Sequence, residues 1–380
     1  MKPFTLYFPT RVILGRGSLN KVGVEASKLG DKCLIVTGKN FARKSGYLDT
    51  VVKSLEESGL KVVIFDQVEP NPSTETVYKG FRRSIENRCN IVLALGGGSA
   101  IDAAKGIAFL SKTNAKLEDN LFPNEVNDAL PLIAIPTTCG TGSEVTRYSV
   151  LTLINNNVKR KVVLLGGPLM PKVSILDADL LNSLPKELVA YTGFDALSHA
   201  LEAYTSRDSI PFSDIIALEA TRVIFENLVK AFEGFSEARE NMLYASMLAG
   251  IAINCAGTEI VHGMGYYLTN YHNIHHGLAN GMLLPHVIRL EVQKGFEKLE
   301  NAAVRLGLKN GVELVRKMEE LADQVGIPKS LRDLGLREIE LDAMVADALS
   351  YERNLSKHPL PLRTEDIREV FIMAFHGRKH

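Results

Sequence analysis

What this chain has little of narrows its class before any motif is read. Its 380 residues carry 44 Lys+Arg against 44 Asp+Glu, a formal net charge of +0. No charge excess marks it for nucleic acid or an acidic membrane surface. The four cysteines, at 33, 89, 139 and 255, are scattered, with neither metal-ligand nor redox spacing, and make no disulfide framework. No apolar run approaches the roughly 20 residues of a membrane helix. The opening MKPFTLYFPT lacks the charged, apolar, small-residue order of a signal peptide, so the cytoplasm is the expected compartment. Glutamine stands only at 67, 293 and 324, a shortage that points toward a heat-adapted source. What remains is 46% hydrophobic and 23% charged, the balance of a globular protein with a real core. The length suits two domains.

The two halves differ in period. In the first, KCLIVTG (32–38), KVVIFD (61–66), NIVLALGGG (90–98) and LPLIAIPTT (130–138) are continuous apolar runs. Helical stretches such as DTVVKSLEESG and AIDAAKGIAFL separate them. Such alternation predicts a parallel sheet covered on both faces, which KVVLLGG (161–167) and VSILD (173–177) extend. After LPKELVAYTG (184–193) the periodicity is helical, as in FSDIIALEATRVIFENLVKAFEG and GVELVRKMEELADQVG. We therefore expect an α/β domain over 1–185 and an all-α domain over 186–380.

Within the helical half, GFDALSHALEAY (193–204) sets Asp195 and His199 four places apart on one face of an apolar helix. Residues 258–287 then hold five of the nine histidines: His262, His272, His275, His276 and His286. One carboxylate and three imidazoles compose a site for a divalent first-row metal. A histidine on an apolar face is commonly a satisfied core residue, and His286, after a proline in an apolar run, reads that way. Spacing leaves open which of His272, His275 and His276 is a ligand. Glu202, seven residues past Asp195 on the same face, is placed to orient one.

In the α/β half, LALGGGSAIDAAK (93–105) runs strand, triple glycine, Ser99, helix. Glycines admit close approach to a ligand, and the N–H groups of a helix N-terminus attract an anion. IPTTCGTGSE (135–144) is a second loop of this kind behind another strand. Two such loops at the carboxyl ends of parallel strands are where an open α/β sheet binds nucleotides.

Taken in order, GGGSAIDAAK, IPTTCGTGSEVT, GFDALSHALEAY and VHGMGYYL…HHGLANGMLLPHV resemble the iron-containing, or group III, alcohol dehydrogenase family across nearly the whole chain. The resemblance implies a dinucleotide-binding α/β domain, a helical domain, and a divalent metal in the cleft between them. It makes Asp195, His199, His262 and His276 the metal ligands, for Fe²⁺ or for zinc or another divalent ion. Gly97, Gly98, Ser99 and Asp102 would lie on the cofactor phosphates. Thr137, Thr138 and Thr141 would lie along the cofactor, with Asn71 and Lys161 on its side of the site. The reaction implied is reversible hydride transfer between a small primary alcohol or diol and its aldehyde, with NADP(H) or NAD(H), in a homodimer or larger homo-oligomer.

Two positions depart from the family pattern. Tyr266 stands where many members have a histidine four residues after the third ligand, so Tyr266 and His272 become the proton-handling candidates. Gly38 stands where NAD-preferring relatives often carry an aspartate for the ribose 2′-OH. With no carboxylate to repel a 2′-phosphate, and with Lys39, Arg43 and Lys44 close behind, NADP is favoured over NAD. A dehydroquinate synthase type of lyase would call for clustered Lys and Arg around the ligands, whereas Ile260, Met264, Tyr267 and Leu268 stand there instead. A glycerol dehydrogenase fits the Asp-x-x-x-His pair less well.

Overall fold

A computed structural model describes residues 3–156 and 158–378. Its contacts divide the chain into two compact units, Leu6–Leu184 and the residues from Pro185 onward, the latter taking in the described residues before Leu6.

The first unit is built on a six-stranded sheet of β1 (Arg11–Leu14), β2 (Lys32–Gly38), β3 (Lys61–Val68), β4 (Ile91–Gly96), β5 (Leu132–Pro136) and β8 (Val173–Leu176). Its order is β1-β8-β5-β4-β2-β3, and every neighbouring pair is parallel. The apolar runs explain it. Side chains alternate faces along a strand, so Leu34, Val92, Ala94 and Ala134 enter one core, with Ile101 and Phe109 of the helix after β4. Cys33, Ile35, Leu93 and Ile135 enter the opposite core, with Val51 and Leu55 of the helix after β2. A strand buried on both faces has no polar face to show.

One expectation is corrected. KVVLLGG does not extend the parallel sheet: β6 (Tyr148–Asn155) and β7 (Val158–Leu165) form a separate two-stranded antiparallel ribbon, paired from Tyr148↔Leu165 to Asn155↔Val158. Its asparagine-rich turn is too short for a crossover, so the chain can only fold back on itself.

Three helices of this unit matter to the site: α1 (Tyr47–Glu57), α2 (Thr74–Glu86) and α3 (Gly98–Thr113). The second unit is helical: α4 (Lys186–Thr205), α5 (Pro211–Glu233), α6 (Ser236–Ala256), α7 (Ile260–His272), α8 (His276–Gln293), α9 (Gly311–Gln324) and α10 (Thr364–His376) are its longer elements. α4 is buried almost all round, as suits a helix at the centre of its layer. Glycines bring α8 against it. A methyl on Gly277 would stand 2.2 Å from the Tyr191 carbonyl oxygen, and one on Gly281 would stand 3.0 Å from Phe194 Cβ. Among the described residues no single helix is long and apolar enough to cross a membrane.

Candidate metal centre and cofactor loops

The close approach of α8 to α4 sets His276, the first residue of α8, beside Asp195, while His262 reaches the same point from the first turn of α7. One ligand atom from each of Asp195, His262 and His276 lies within 4.8 Å of the others. His262 Nε2 and His276 Nε2 are each 3.8 Å from Asp195 Oδ1. His199 stands outside this group of three but touches it, its ring stacked on that of His262 at a centroid distance of 4.7 Å. Burial alone would raise the Asp195 carboxyl, but the imidazoles of His199, His276 and His262 hold it below the usual carboxylate range. A buried carboxylate that stays ionised among three imidazoles is a donor set suited to a divalent first-row ion.

The centre of the group is marked by Asn280. Its Nδ2 donates to Asp195 Oδ1 at 2.8 Å and lies 3.2 Å from both His262 Nε2 and His276 Nε2. One amide NH2 thus stands where a carboxylate oxygen and two imidazole nitrogens converge, which is the position a cation would take. Asn280 follows His276 by one helical turn, a spacing that puts the two on one side of α8 without marking the asparagine as a site residue.

Glu202 does what its position on α4 suggests. Its Oε1 accepts from Val261 N at 2.7 Å and from His262 N at 3.3 Å, and its Oε2 contacts His262 Nδ1. Burial works to lower the His262 pKa, the Glu202 carboxylate outweighs it, and the imidazole is held above its ordinary value. With Nδ1 engaged, Nε2 is the atom left to face Asp195.

The remaining histidines separate by contact. His275 caps α8, its Nδ1 accepting from Gly277 N at 3.2 Å. His272, at the far end of α7 and about 15 Å along its axis from His262, bonds Glu340 Oε2 at 2.7 Å. His286 is buried, neither ring nitrogen has a hydrogen-bond partner among the described residues, and burial pushes its pKa down to about 3. Tyr266 stacks on the His276 ring at 6.0 Å and meets Tyr351 edge-on at 4.7 Å.

In the α/β unit, the two glycine loops lie against each other at the carboxyl ends of β4 and β5. A methyl on Gly97 would meet Thr138 Cγ2 at 3.1 Å, and one on Gly98 would meet Thr141 Cγ2 at 2.6 Å. Thr137 N donates to Gly96 O at 3.1 Å. Ser99 Oγ accepts from Asn71 N at 3.2 Å, and Asn71 holds a left-handed backbone, φ 56°. Lys161 Nζ, carried on β7, donates to Asn71 Oδ1 at 2.8 Å and Thr152 Oγ1 at 3.1 Å. Burial pushes its pKa down to about 8. The ribbon that departs from the parallel sheet is therefore what delivers Lys161 to Asn71.

Asp102 has both carboxylate oxygens engaged inside the unit. Oδ1 accepts from Ser143 Oγ, and Oδ2 accepts from Val150 N at 3.0 Å. Next to it Lys105 is wholly buried, donating to Tyr148 O at 2.6 Å and to Ser143 Oγ and Thr146 Oγ1 at 3.1 Å. This buried lysine ties α3 to the second loop, a role that AIDAAK does not reveal because nothing in it marks the lysine as inward. Gly38 ends β2, with Lys39 exposed beside it. Arg43 pairs with Asp66 at 2.7 Å.

Known proteins match this arrangement over its length. A family model described as iron-containing alcohol dehydrogenase matches residues 9–178, and one described as Fe-containing alcohol dehydrogenase family, C-terminal, matches residues 189–375. A 1,3-propanediol dehydrogenase of Citrobacter freundii is 38% identical over 98% of this chain and 99% of its own. An NADPH-dependent butanol dehydrogenase of Clostridium saccharobutylicum is 33% identical over 99% of each. The crystal structure of a 1,3-propanediol oxidoreductase superposes with a TM-score of 0.93 at 36% identity, covering 98% of this chain and 100% of that one.

Proposed function

The chain belongs to the iron-containing alcohol dehydrogenase family, and from that premise we propose which residues of this NAD(P)-dependent alcohol and aldehyde oxidoreductase do the work, and on what. Asp195, His199, His262 and His276 hold Fe²⁺, or zinc or another divalent ion in its place. The observation that carries this is the convergence of Asp195, His262 and His276 within 4.8 Å on the point where Asn280 Nδ2 stands. Bound there, the metal supplies Lewis-acid activation of the substrate oxygen, and the nicotinamide supplies the hydride chemistry.

The chain's own residues do the rest. Asp195 provides the negative charge, and Glu202 keeps His262 turned with Nε2 toward it. The first-turn N–H groups of α3, opened by Gly97, Gly98 and Ser99, receive the cofactor's phosphates. Thr137, Thr138 and Thr141 line the path, and Lys161 with Asn71 closes its side; Asp102 shapes the loop from beneath through Ser143. Of the two proton-handling candidates, Tyr266 lies beside the ligand rings, and His272 stands outward at Glu340. The apolar surroundings, Ile260, Met264 and Leu268, suit a small primary alcohol or diol.

Gly38 and exposed Lys39 support NADP over NAD, because no side chain at 38 opposes a 2′-phosphate. The Arg43–Asp66 pair supports the reverse, since Arg43 would have to exchange a carboxylate for the phosphate. Four free cysteines suit a reducing compartment, the cytoplasm. Exposed Phe212 and Ile215 at the start of α5 suit a homodimer or larger assembly, which sizing by light scattering would test.

The decisive experiment is an anaerobic assay of the iron-loaded protein with 1-butanol or 1,3-propanediol, offering NADP and NAD in parallel. Metal-dependent reduction favouring NADP is expected. Reduction of NAD alone would overturn the reading of Gly38 and leave the class intact. His262→Ala is expected to lose both bound metal and turnover; an active, metal-replete variant would overturn the ligand assignment.

A further inference from the structure

The helical unit holds a second knot of ionisable side chains that the hydride chemistry leaves unused. Glu259 stands immediately before α7, Glu291 lies near the end of α8, and His358 follows the short helix Glu352–Lys357. All three are buried, at 1% exposure each, and one ligand atom from each lies within 4.8 Å of the others. His358 Nδ1 is 2.9 Å from Glu259 Oε2 and 3.4 Å from Glu291 Oε1. Two ligands about 2.1 Å from a common ion stand about 3.0 to 3.4 Å apart at octahedral to tetrahedral angles, a range that the two His358 separations match as well as they match a hydrogen bond.

Hydrogen bonding within the knot does not complete it. Glu291 Oε2 and His358 Nε2 have no partner among the described residues. Burial first, and then the neighbouring carboxylates, push the Glu259 and Glu291 carboxyls well above the usual range. Two lysines bear on Glu259, but both are bound elsewhere: Lys298 Nζ sits 2.9 Å from Asp214 Oδ1, and Lys357 pairs with Asp208. A buried carboxylate left unpaired is costly, so each of these carboxyls keeps its proton unless a cation takes the proton's place. A cavity of about 380 Å³, lined by Thr205, Lys298 and Pro359 among others, lies beside the knot. Thr205 Oγ1 donates to Glu259 Oε1 at 2.7 Å, and Pro359 follows His358 in the chain.

We propose that Glu259, Glu291 and His358 form a second cation site, separate from the one at Asp195, that takes a divalent first-row transition ion. One imidazole and two carboxylates suit such an ion. Its place is structural: it fastens the start of α7 to the end of α8, the two helices that carry His262 and His276.

The test is a metal count on the full chain, produced in zinc-supplemented medium, gel-filtered and measured by mass spectrometry. Two zinc ions per chain are expected in the wild type, one in Glu291→Gln, and one in His262→Ala, which loses the other site. A wild type holding a single ion would overturn the proposal, as would a Glu291→Gln protein that keeps two. Should Glu291→Gln fail to fold, His358→Gln serves, and the wild-type count decides by itself. The proposal does not rest on the hydride-transfer reading. A wild type with two ions and no turnover would sink that reading alone, and a turning-over enzyme with one ion would sink only this one.

Discussion

At the scale of single residues, the site is organised by groups that touch the ligands rather than by the ligands alone. Glu202 is the clearest: it takes two backbone N–H groups at the start of α7 and engages His262 Nδ1, so it fixes which nitrogen faces inward. Replacing its charge while keeping its shape, as Glu202→Gln, is expected to lower metal affinity by roughly 10- to 100-fold. Titration with a competing chelator would measure it, and turnover at saturating metal should fall by less. An unchanged affinity would mean that Glu202 only caps the helix. Glu202 was legible from its place on the face of Asp195, whereas Asn280 was not picked out, because an asparagine in HGLANG reads as ordinary helix surface until a second helix arrives beside it.

At the scale of elements, glycines decide how near the functional segments come. Gly277 lets α8 lie on the α4 backbone, and an added methyl would also stand 3.1 Å from Asp195 Cβ. Gly277→Ala must push α8 outward, costing about 1–3 kcal/mol of overpacking strain, and His276 moves with it. A lower melting temperature together with weakened metal retention is expected; loss of stability with full metal retention would show that the two helices yield elsewhere. The β6–β7 ribbon makes the complementary point. Its apolar strands look like the parallel ones, and only the pairing partner, chosen by turn length, tells them apart.

At the scale of the whole molecule, the buried charges set how stability follows pH. Burial pushes the Glu144 carboxyl up to about 7 and the Lys105 amine down to about 8. A carboxyl raised in the folded state stabilises while protonated, so its contribution is present below about 4.5 and is lost as pH rises through 7. A lysine lowered in the folded state does the opposite, and stability recovers from about 8 toward 10.5. Melting temperature against pH should therefore dip between 7 and 8. In Glu144→Gln the fall from about 4.5 to 7 should flatten, by a few kcal/mol at most, while the alkaline recovery remains. A variant whose profile matches the wild type would place the charge elsewhere.

The sequence by itself determined the period of each element, the α/β and helical halves, the glycine loops and the histidines on which the family resemblance rests. These are local properties: side-chain alternation, helical spacing and turn chemistry act over a few residues. Tertiary structure alone decided that Asn280 stands among three ligand atoms, that His272 answers to Glu340 and His275 to a helix end, and that Lys161 reaches Asn71 from an antiparallel ribbon. It alone gathered Glu259, Glu291 and His358 from positions as much as 99 residues apart. Such groupings depend on which helix packs on which, a choice made by the fit of whole surfaces, and no window of sequence holds both sides of that fit.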